Sequence, residues 1–193
     1  MLAWRTSVCR ADVTATQPSI DVSLYDSTCG GVAWRCDAPA GFVSIRPARS
    51  APLQGPGYAE CLTLTIPPWH LPISELRWGR WHDTDARHSI VWIDWRGAAP
   101  RTWVFVDGSE SRCATVTDSG IVADGASLCL SSTRVLVDRD LGEVLRTVPP
   151  LRGIVPSALH AYHESKWTST GILAAGTSPP LAGQAIHEVV RFT

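Results

Sequence analysis

Short segments of alternating apolar and polar residues recur along the whole chain and restrict what it can fold into. No window of a dozen residues keeps apolar side chains at the helical positions i, i+3, i+4 and i+7, and Pro or Gly interrupts most stretches. So many short strands in one chain predict an all-β fold, an antiparallel barrel or sandwich with little helix. Only residues 156–164 are compatible with a helix. The predicted strands are residues 20–25, 31–36, 42–46, 57–66, 73–82, 88–96, 101–108, 111–117, 126–132, 134–140, 143–149, 162–173 and 183–192.

Length and charge narrow the class of protein further. A chain of 193 residues can build one sizeable core and is short for two, which predicts a single domain over residues 1–193. The formal net charge is −1, from 17 basic and 18 acidic residues without a run of like charge. Nucleic acids and anionic membranes call for a basic stripe, so neither is an expected partner. Nine tryptophans suit a thick core or an aromatic-lined cavity.

The cysteines and the N-terminus predict a cytoplasmic protein. The six cysteines form no C-x-x-C pair and no zinc-finger spacing, and residues 1–13 lack the apolar run of a signal peptide. Free thiols are therefore expected rather than disulfides. No apolar run approaches about 18 residues, so no transmembrane segment is expected. A Pro/Gly-rich loop at residues 47–57 is expected to form a flexible rim beside a cavity.

Three charged residues lie on strand faces that are otherwise apolar. Because strand side chains alternate, Glu60 shares a face with Tyr58, Arg80 shares one with Trp78, and Glu188 lies on an apolar face near the C-terminus. A face that buries apolar side chains should not also bury ions, unless the ions pair or do chemistry. Two interpretations of Glu60 stay open. It either reaches water at the mouth of its strand or belongs to a site.

The spacing predicts that these charges meet. Only residues 67–72 separate the strand of Glu60 from that of Arg80, so the two strands are expected to be antiparallel neighbours. Glu60 and Arg80 would then lie near the same level of the sheet, inside the barrel. A guanidinium can bridge two carboxylates, and Glu188 would supply the second.

Histidines near acidic residues raise the question of a metal site. The segment around His82 and His88 has the polar composition of a hairpin turn and lacks a rigid i, i+4 ligand pair, so no metal is expected. Near the C-terminus, His187 and Glu188 are adjacent, and either could serve as a general base. The alternative for His187 is an ordinary hydrogen bond in the core.

The order of four motifs resembles a known family. Residues 34–36 (WRC), 55–60 (GPGYAE), 76–80 (LRWGR) and 91–97 (VWIDWRG) resemble the carotenoid 1,2-hydratases, also called hydroxyneurosporene synthases. These belong to a lipocalin-like superfamily that includes AttH-type proteins and tocopherol cyclases. The resemblance implies a calycin-type β-barrel around an apolar ligand.

The resemblance also implies a chemistry. In the hydratases an acid protonates a C=C bond, water captures the resulting carbocation, and no metal or organic cofactor takes part. Glu60 stands where the family has its catalytic aspartate, Tyr58 matches the motif tyrosine, and Trp34 falls near a functional tryptophan. The chain is also much shorter than the two lipocalin-like domains usual in the family.

These observations predict a cofactor-independent lyase or isomerase for an apolar, isoprenoid- or polyketide-like small molecule. It would act by acid-catalysed hydration, cyclisation or double-bond isomerisation. One alternative is a non-catalytic lipocalin-like carrier of a hydrophobic ligand, and another is a partner-binding β-domain with a filled core. A homodimer is compatible with either. The expected catalytic residues are Glu60 and Tyr58, and the expected substrate-binding residues are Trp34, Trp78, Arg80, Trp92, His187 and Glu188.

Overall fold

The structure is a computed structural model that describes residues 1–140, 142–143 and 162–192. The described residues form antiparallel strands, one three-residue 3-10 helix at Pro68–His70, and a helical pair at residues 142–143. The predicted all-β class of antiparallel strands with little helix is confirmed. The strands are β1 (Leu2–Arg5), β2 (Cys9–Ala15), β3 (Ile20–Ser27), β4 (Gly30–Pro47), β5 (Leu53–Leu64), β6 (Ile73–Asp83), β7 (Ser89–Gly97), β8 (Arg101–Val106), β9 (Ser109–Glu110), β10 (Ala114–Val116), β11 (Gly120–Ala123), β12 (Ala126–Asp140), β13 (Tyr162–Ala175) and β14 (Leu181–Phe192).

The first sheet is organised around β4. It has the order β1-β2-β4-β3, and β5 pairs with β4 outside that path. The N-terminal part of β4 pairs with β3 and its C-terminal part pairs with β2, while β5 follows it from Val32 to Ile45. The register shifts between Cys36 and Gly41, where β4 changes partners.

Two sequence predictions for this region are corrected. Residues 31–36 and 42–46 are parts of one strand of 18 residues, because pairing with β5 resumes on both sides of the irregular stretch. The loop predicted at 47–57 is confined to residues 48–52, since residues 53–57 pair with β4. Pro56 is tolerated there because β5 is an edge strand, where a missing N–H costs no ladder hydrogen bond.

The second sheet has the order β10-β11-β12-β13-β14-β6-β7-β8-β9. The separate strands predicted at 126–132 and 134–140 are again one strand, β12, with register shifts after Ser131 and Val135. Ser132 takes a left-handed conformation (φ 50°) at the first irregularity, which keeps the chain in the sheet while inserting extra residues. β1, β2, β9 and β11 had no counterpart among the predicted strands.

Two predicted elements lie wholly or partly outside the described residues. The strand predicted at 143–149 falls outside them except for Glu143, which is helical. The helix compatible with 156–164 also falls outside, except for residues 162–164, which belong to β13.

The chain divides into two compact units, each with a core of its own. In unit 1, Val32, Trp34 and Cys36 are buried on one face of β4; in unit 2, Trp81 and Trp103 are among the most buried side chains. The prediction of a single domain over residues 1–193 stays a prediction. Unit 1 is Met1–Pro67, His82–Ile90 and Phe105–Ser109, and unit 2 is Pro68–Trp81, Val91–Val104 and Glu110–Thr193.

The strand partners of Glu60 and Arg80 differ from those predicted. β5, which carries Glu60, pairs with β4 in the first sheet, whereas β6, which carries Arg80, lies between β14 and β7 in the second. The expected pairing of these two strands is therefore wrong. The segment after β5 contains the 3-10 helix at Pro68–His70, and it leads into a different sheet instead of closing a hairpin. A contact between the two side chains, completed by Glu188, stays a prediction.

All six cysteines fall within the described residues and are free thiols. Cys36 is fully buried, while Cys29, Cys61, Cys113 and Cys129 are exposed. A search of the described part of the chain finds no helix with the length and apolar character needed to cross a bilayer.

Candidate functional site

Unit 2 contains a cavity of about 300 Å³ whose walls come from β6, β7, β10, β12, β13 and β14 and from the turn after β10. The sheet curls so far that the turn after β10 reaches β6, where Asp118 pairs with Arg77. Within unit 2, this curvature has the half-barrel character of a lipocalin-like fold. The cavity is the outcome of that curvature, because side chains on the concave face cannot fill the space between distant strands.

An aromatic row forms one wall of the cavity. His187 on β14 stacks on Trp167 of the neighbouring strand β13, with ring centroids 5.3 Å apart and ring planes 28° apart. On its other side, Trp92 of β7 lies with its ring centroid 6.4 Å from that of His187. All three side chains line the cavity. An apolar ligand would find two indole faces and an imidazole there.

Gly79 makes this row possible. It lies on β6 between His187 and Trp92, and a Cβ built on it would overlap the Trp92 ring and the Cβ of His187. Both indole and imidazole therefore lean over a residue that has no side chain. The glycine is required here for space, not for its backbone conformation.

Replacing Gly79 with alanine should destabilise unit 2 and displace the aromatic row. Overpacking of this kind costs about 2 kcal/mol, because the added methyl has no room beside a buried indole. Urea unfolding monitored by tryptophan fluorescence would measure the loss. Gly125→Ala is a less suitable control because its φ of 84° strains any side chain. Gly55→Ala is suitable, since an added Cβ there meets no atom within 4 Å. Equal stability of both variants and the wild type would contradict the packing argument.

The imidazole of His187 is held by a chain of hydroxyl groups. Its Nε2 lies 2.9 Å from Oγ of Ser169, which lies 2.9 Å from Oγ1 of Thr133. Ser169 is buried, so it is placed to orient the ring rather than to attack a ligand. Nδ1 of His187 has no hydrogen-bond partner among the residues that the structure describes.

Burial controls the charge of His187. Desolvation lowers the pKa of its imidazole below the usual value near 6.5, and the negative charge of Asp118 opposes this only in part. The ring is therefore neutral at neutral pH. In the tautomer whose Nε2–H donates to Oγ of Ser169, Nδ1 carries no proton and can act as a base.

Charged residues form the rim of the cavity. Glu75 accepts hydrogen bonds from three arginines: Nε of Arg77 at 2.7 Å, Nη1 of Arg96 at 3.0 Å and Nε of Arg191 at 3.2 Å. Arg77 and Arg191 line the cavity. Burial alone would raise the pKa of Glu75, but the hydrogen bond from Arg77 and the charges of all three guanidinium groups lower it. Glu75 is thus a carboxylate that fixes three positive charges.

The two residues predicted near the catalytic position in unit 1 meet each other. Nε1 of Trp34 donates a hydrogen bond to Oε2 of Glu60 at 2.9 Å. Trp34 is buried, and its ring centroid lies 6.2 Å from that of Phe105. The register of β4 and β5 places Glu60 on the face that carries Trp34, and Glu60 is exposed, as is Leu62 at 50%. The exposed side chain agrees with the interpretation in which Glu60 reaches water, and not with the expectation that it lies inside the barrel. Tyr58, two residues earlier, is half-buried.

The other predicted binding residues lie on β6, β7 and β14. Trp92, His187 and Glu188 line the cavity, and the Glu188 carboxylate lies 2.6 Å from Nζ of Lys166. Arg80 is almost fully buried and its guanidinium carbon lies 5.1 Å from the ring centre of Trp78. Because side chains alternate, Arg80 and Trp78 are on the face of β6 opposite the cavity wall.

Four residues of the site escaped sequence reasoning: Arg77, Trp167, Ser169 and Asp118. Alternation places Arg77 and Gly79 on the same face of β6, and a glycine beside tryptophans is a signal that a large ring lies over it. Nothing in the sequence indicates that Asp118, on the turn between β10 and β11, would reach Arg77.

The polar turn that contains His82 and His88 has a structural explanation. Oδ1 of Asp83 accepts hydrogen bonds from the backbone N–H groups of Arg87 and His88 at 2.7 and 3.0 Å, which closes the turn. Nδ1 of His88 lies 2.9 Å from Oδ2 of Asp107. Within the described ranges, no group of three or more His, Cys, Asp or Glu side chains is placed so that it could hold a metal ion.

Comparisons with known proteins give a structural likeness at low sequence identity. No protein-family model matches the chain, and no curated protein matches it either. Among solved structures, the chain is similar to the crystal structure of a "putative AttH" from Nitrosomonas europaea, with a TM-score of 0.49 and 9% sequence identity. The match covers 99% of this chain and 64% of that protein, so this chain spans less than two-thirds of its length.

Proposed function

We propose that the chain binds an apolar small molecule in the unit 2 cavity and moves a double bond in it, as a cofactor-independent isomerase. The observation that carries this proposal is His187, a neutral imidazole that lies between two indole rings on the wall of a 300 Å³ cavity. That volume is at the lower end of the range for small-molecule sites, and suits roughly ten to fifteen carbon atoms, such as an isoprenoid or polyketide fragment.

The proposed reaction uses the neutral imidazole of His187 as a general base. Nδ1 takes a proton from a carbon next to a carbonyl group and returns it to a carbon two positions further along. The C=C bond shifts between them, and no electron leaves or enters the ligand. The hydroxyl of Ser169 holds the ring while this happens, and Trp92 and Trp167 pack against the hydrocarbon.

Acid catalysis at Glu60 is the second candidate, which would make the chain a hydrating or cyclising lyase. The hydrogen bond from Trp34 favours it, because it fixes the direction of an accessible carboxyl group beside an aromatic residue. Tyr58 on the same face would assist.

A non-catalytic carrier is the third candidate, in which the cavity binds the same kind of ligand and no proton moves. The cytoplasmic location and a homodimer stay predictions from the sequence.

The test is deuterium exchange into a β,γ-unsaturated ketone of ten to thirteen carbons in D₂O, followed by mass spectrometry. His187→Gln and Glu60→Gln are the matched variants, because each removes an ionisable group and keeps a polar side chain of similar size. We expect the wild type and Glu60→Gln to exchange, and His187→Gln to lose about a hundredfold or more of the rate while still binding the ketone.

The other outcomes assign the other candidates. If Glu60→Gln lost deuterium exchange and His187→Gln retained it, the proposal would be overturned in favour of acid catalysis at Glu60. Binding without exchange in every variant would overturn it in favour of a carrier. Native mass spectrometry or calorimetry with the same ketone supplies the binding measurement.

A further inference from the structure

Arg77 is held in an unusual way at the rim of the unit 2 cavity. Its guanidinium is 13% exposed and is anchored along one edge by the half-buried Glu75. Its Nη1 points to Asp118, whose side chain is 85% exposed. The two carboxylates that contact Arg77 therefore differ in burial: Glu75 is half-buried, and Asp118 is exposed. Glu75 is part of a strand, whereas Asp118 lies on a two-residue loop between Thr117 and Gly120.

The charges around Arg77 balance only while Asp118 is in place. Arg77, Arg96 and Arg191 share Glu75, and Arg96 also binds Asp94 through a contact of 2.8 Å. Three guanidinium groups thus face Glu75, Asp94 and Asp118. If Asp118 turned outward into water, these three guanidinium groups would keep two contacting carboxylates, those of Glu75 and Asp94.

We propose that Arg77 is a binding site for the carboxylate of an amphipathic ligand, and that Asp118 occupies this site until the ligand displaces it. The proposal rests on the proposed use of the cavity and adds a ligand class to it: an apolar chain that carries a terminal carboxylate. The hydrocarbon would lie against Trp92 and Trp167, and the carboxylate would take the Nη1 donor that Asp118 uses.

The geometry of guanidinium supports this assignment. Arginine presents parallel N–H groups that match two carboxylate oxygens, and one edge of Arg77 is already fixed by Glu75. A fixed guanidinium loses little conformational freedom when a ligand binds. Displacing Asp118 leaves no buried charge behind, since its side chain is 85% exposed and returns to water while Arg77 keeps Glu75 and gains the carboxylate of the ligand.

The experiment compares decanoate with decanol, which share one hydrocarbon chain and differ in charge. In Asp118→Asn the competing charge is gone, so decanoate should bind two- to tenfold more tightly while decanol changes by less than twofold. In Arg77→Met decanoate should bind at least tenfold more weakly, again with little change for decanol. Calorimetric titration of the wild type and both variants measures all six affinities.

Matched controls separate this effect from net charge. Glu110→Gln and Arg112→Met change exposed residues of unit 2 that do not line the cavity, and they should leave both affinities within twofold. Asp118→Asn should also lower the pKa of His187 further, because Asp118 raises it in the wild type. That shift is measurable by NMR titration of the imidazole.

The failure of this inference differs from the failure of the proposed function. If neither decanoate nor decanol binds the wild type, the cavity is not a ligand site and both proposals fall. If decanol binds and decanoate gains nothing from Asp118→Asn, Arg77 is not a carboxylate site and only the inference is overturned. Asp118 is exposed, so this variant remains folded even if Arg77→Met does not.

Discussion

Replacing Trp81 with alanine should cost unit 2 about 3–5 kcal/mol of folding free energy, the largest loss that we expect from any single substitution. Its side chain has no exposed surface, and its Nε1 donates a hydrogen bond to the carbonyl oxygen of Gly171 at 3.1 Å. Truncation therefore removes the packing of a whole indole and one buried hydrogen bond. Thermal unfolding should show the loss as a fall in Tm of roughly 10 °C, and Trp4→Ala, at a site 62% exposed, should change it little.

A double-mutant cycle tests the contact that makes Trp81 costly to lose. A Cβ on Gly171 would overlap the Trp81 ring, so Gly171→Ala alone should destabilise by about 2 kcal/mol. In the Trp81→Ala background the added methyl occupies vacated space, and its cost should disappear. The sum of the two single-variant losses should then exceed the loss of the double variant by more than about 1.5 kcal/mol. Simple additivity would show that the indole does not lie over Gly171.

The class of fold could be predicted from the sequence because alternation is a local signal. β3, β6, β7 and β14 begin and end within about two residues of the predicted segments. The alternation of apolar and polar residues does not predict the bounds of a strand that changes partners along its length. Residues 37–41 of β4 have the Pro and Gly content of a turn, yet they bridge two stretches of regular pairing within one strand. The sequence shows the irregularity and cannot show that the strand continues beyond it.

The site was only partly predictable, since alternation defines the faces of a strand and not its neighbours. His187 and Glu188 were found together, but the cavity wall depends on Trp167, which lies directly opposite His187 in the register of β13 and β14. The two faces of β6 both carry a tryptophan, so hydrophobicity could not decide between Arg77 and Arg80. The curvature of the sheet decides it, because it brings the turn containing Asp118 to Arg77.

Replacing Glu75 with glutamine should cost about 3 kcal/mol, at the lower end of the range for breaking a buried ion pair. The glutamine keeps the size of the side chain and an accepting oxygen, so the change removes charge and little else. Arg77, at 13% exposure, then loses its anchoring carboxylate, while Arg96 and Arg191, at 40% and 49%, can turn toward water. This partial exposure is why we expect less than the full range. The same substitution should weaken decanoate binding, because the Arg77 guanidinium is no longer fixed.

The pH dependence distinguishes a charge effect from a packing effect. The folded-state pKa of Glu75 is lower than its unfolded value near 4.5, because the hydrogen bond from Arg77 and the surrounding arginines together outweigh burial. A carboxyl group whose pKa falls on folding contributes stability that is complete above the unfolded pKa and is lost as pH falls through the folded pKa. The wild type should therefore exceed Glu75→Gln in stability by a constant amount from pH 7 to about pH 5. The difference should then shrink steadily under more acidic conditions.

Chemical denaturation at pH 7, 5, 4 and 3 measures this difference, with Glu110→Gln as the control for an exposed carboxylate of the same unit. Other carboxylates of the rim titrate in the same range, but they are present in both proteins, so most of their contribution cancels in the comparison. A loss that is equal at every pH would mean that the amide packs poorly and that the carboxylate charge is not what holds the three arginines. The absence of any loss at pH 7 would mean that these arginines are stabilised by water, and the charge balance proposed for Asp118 and Arg77 would then lack its basis.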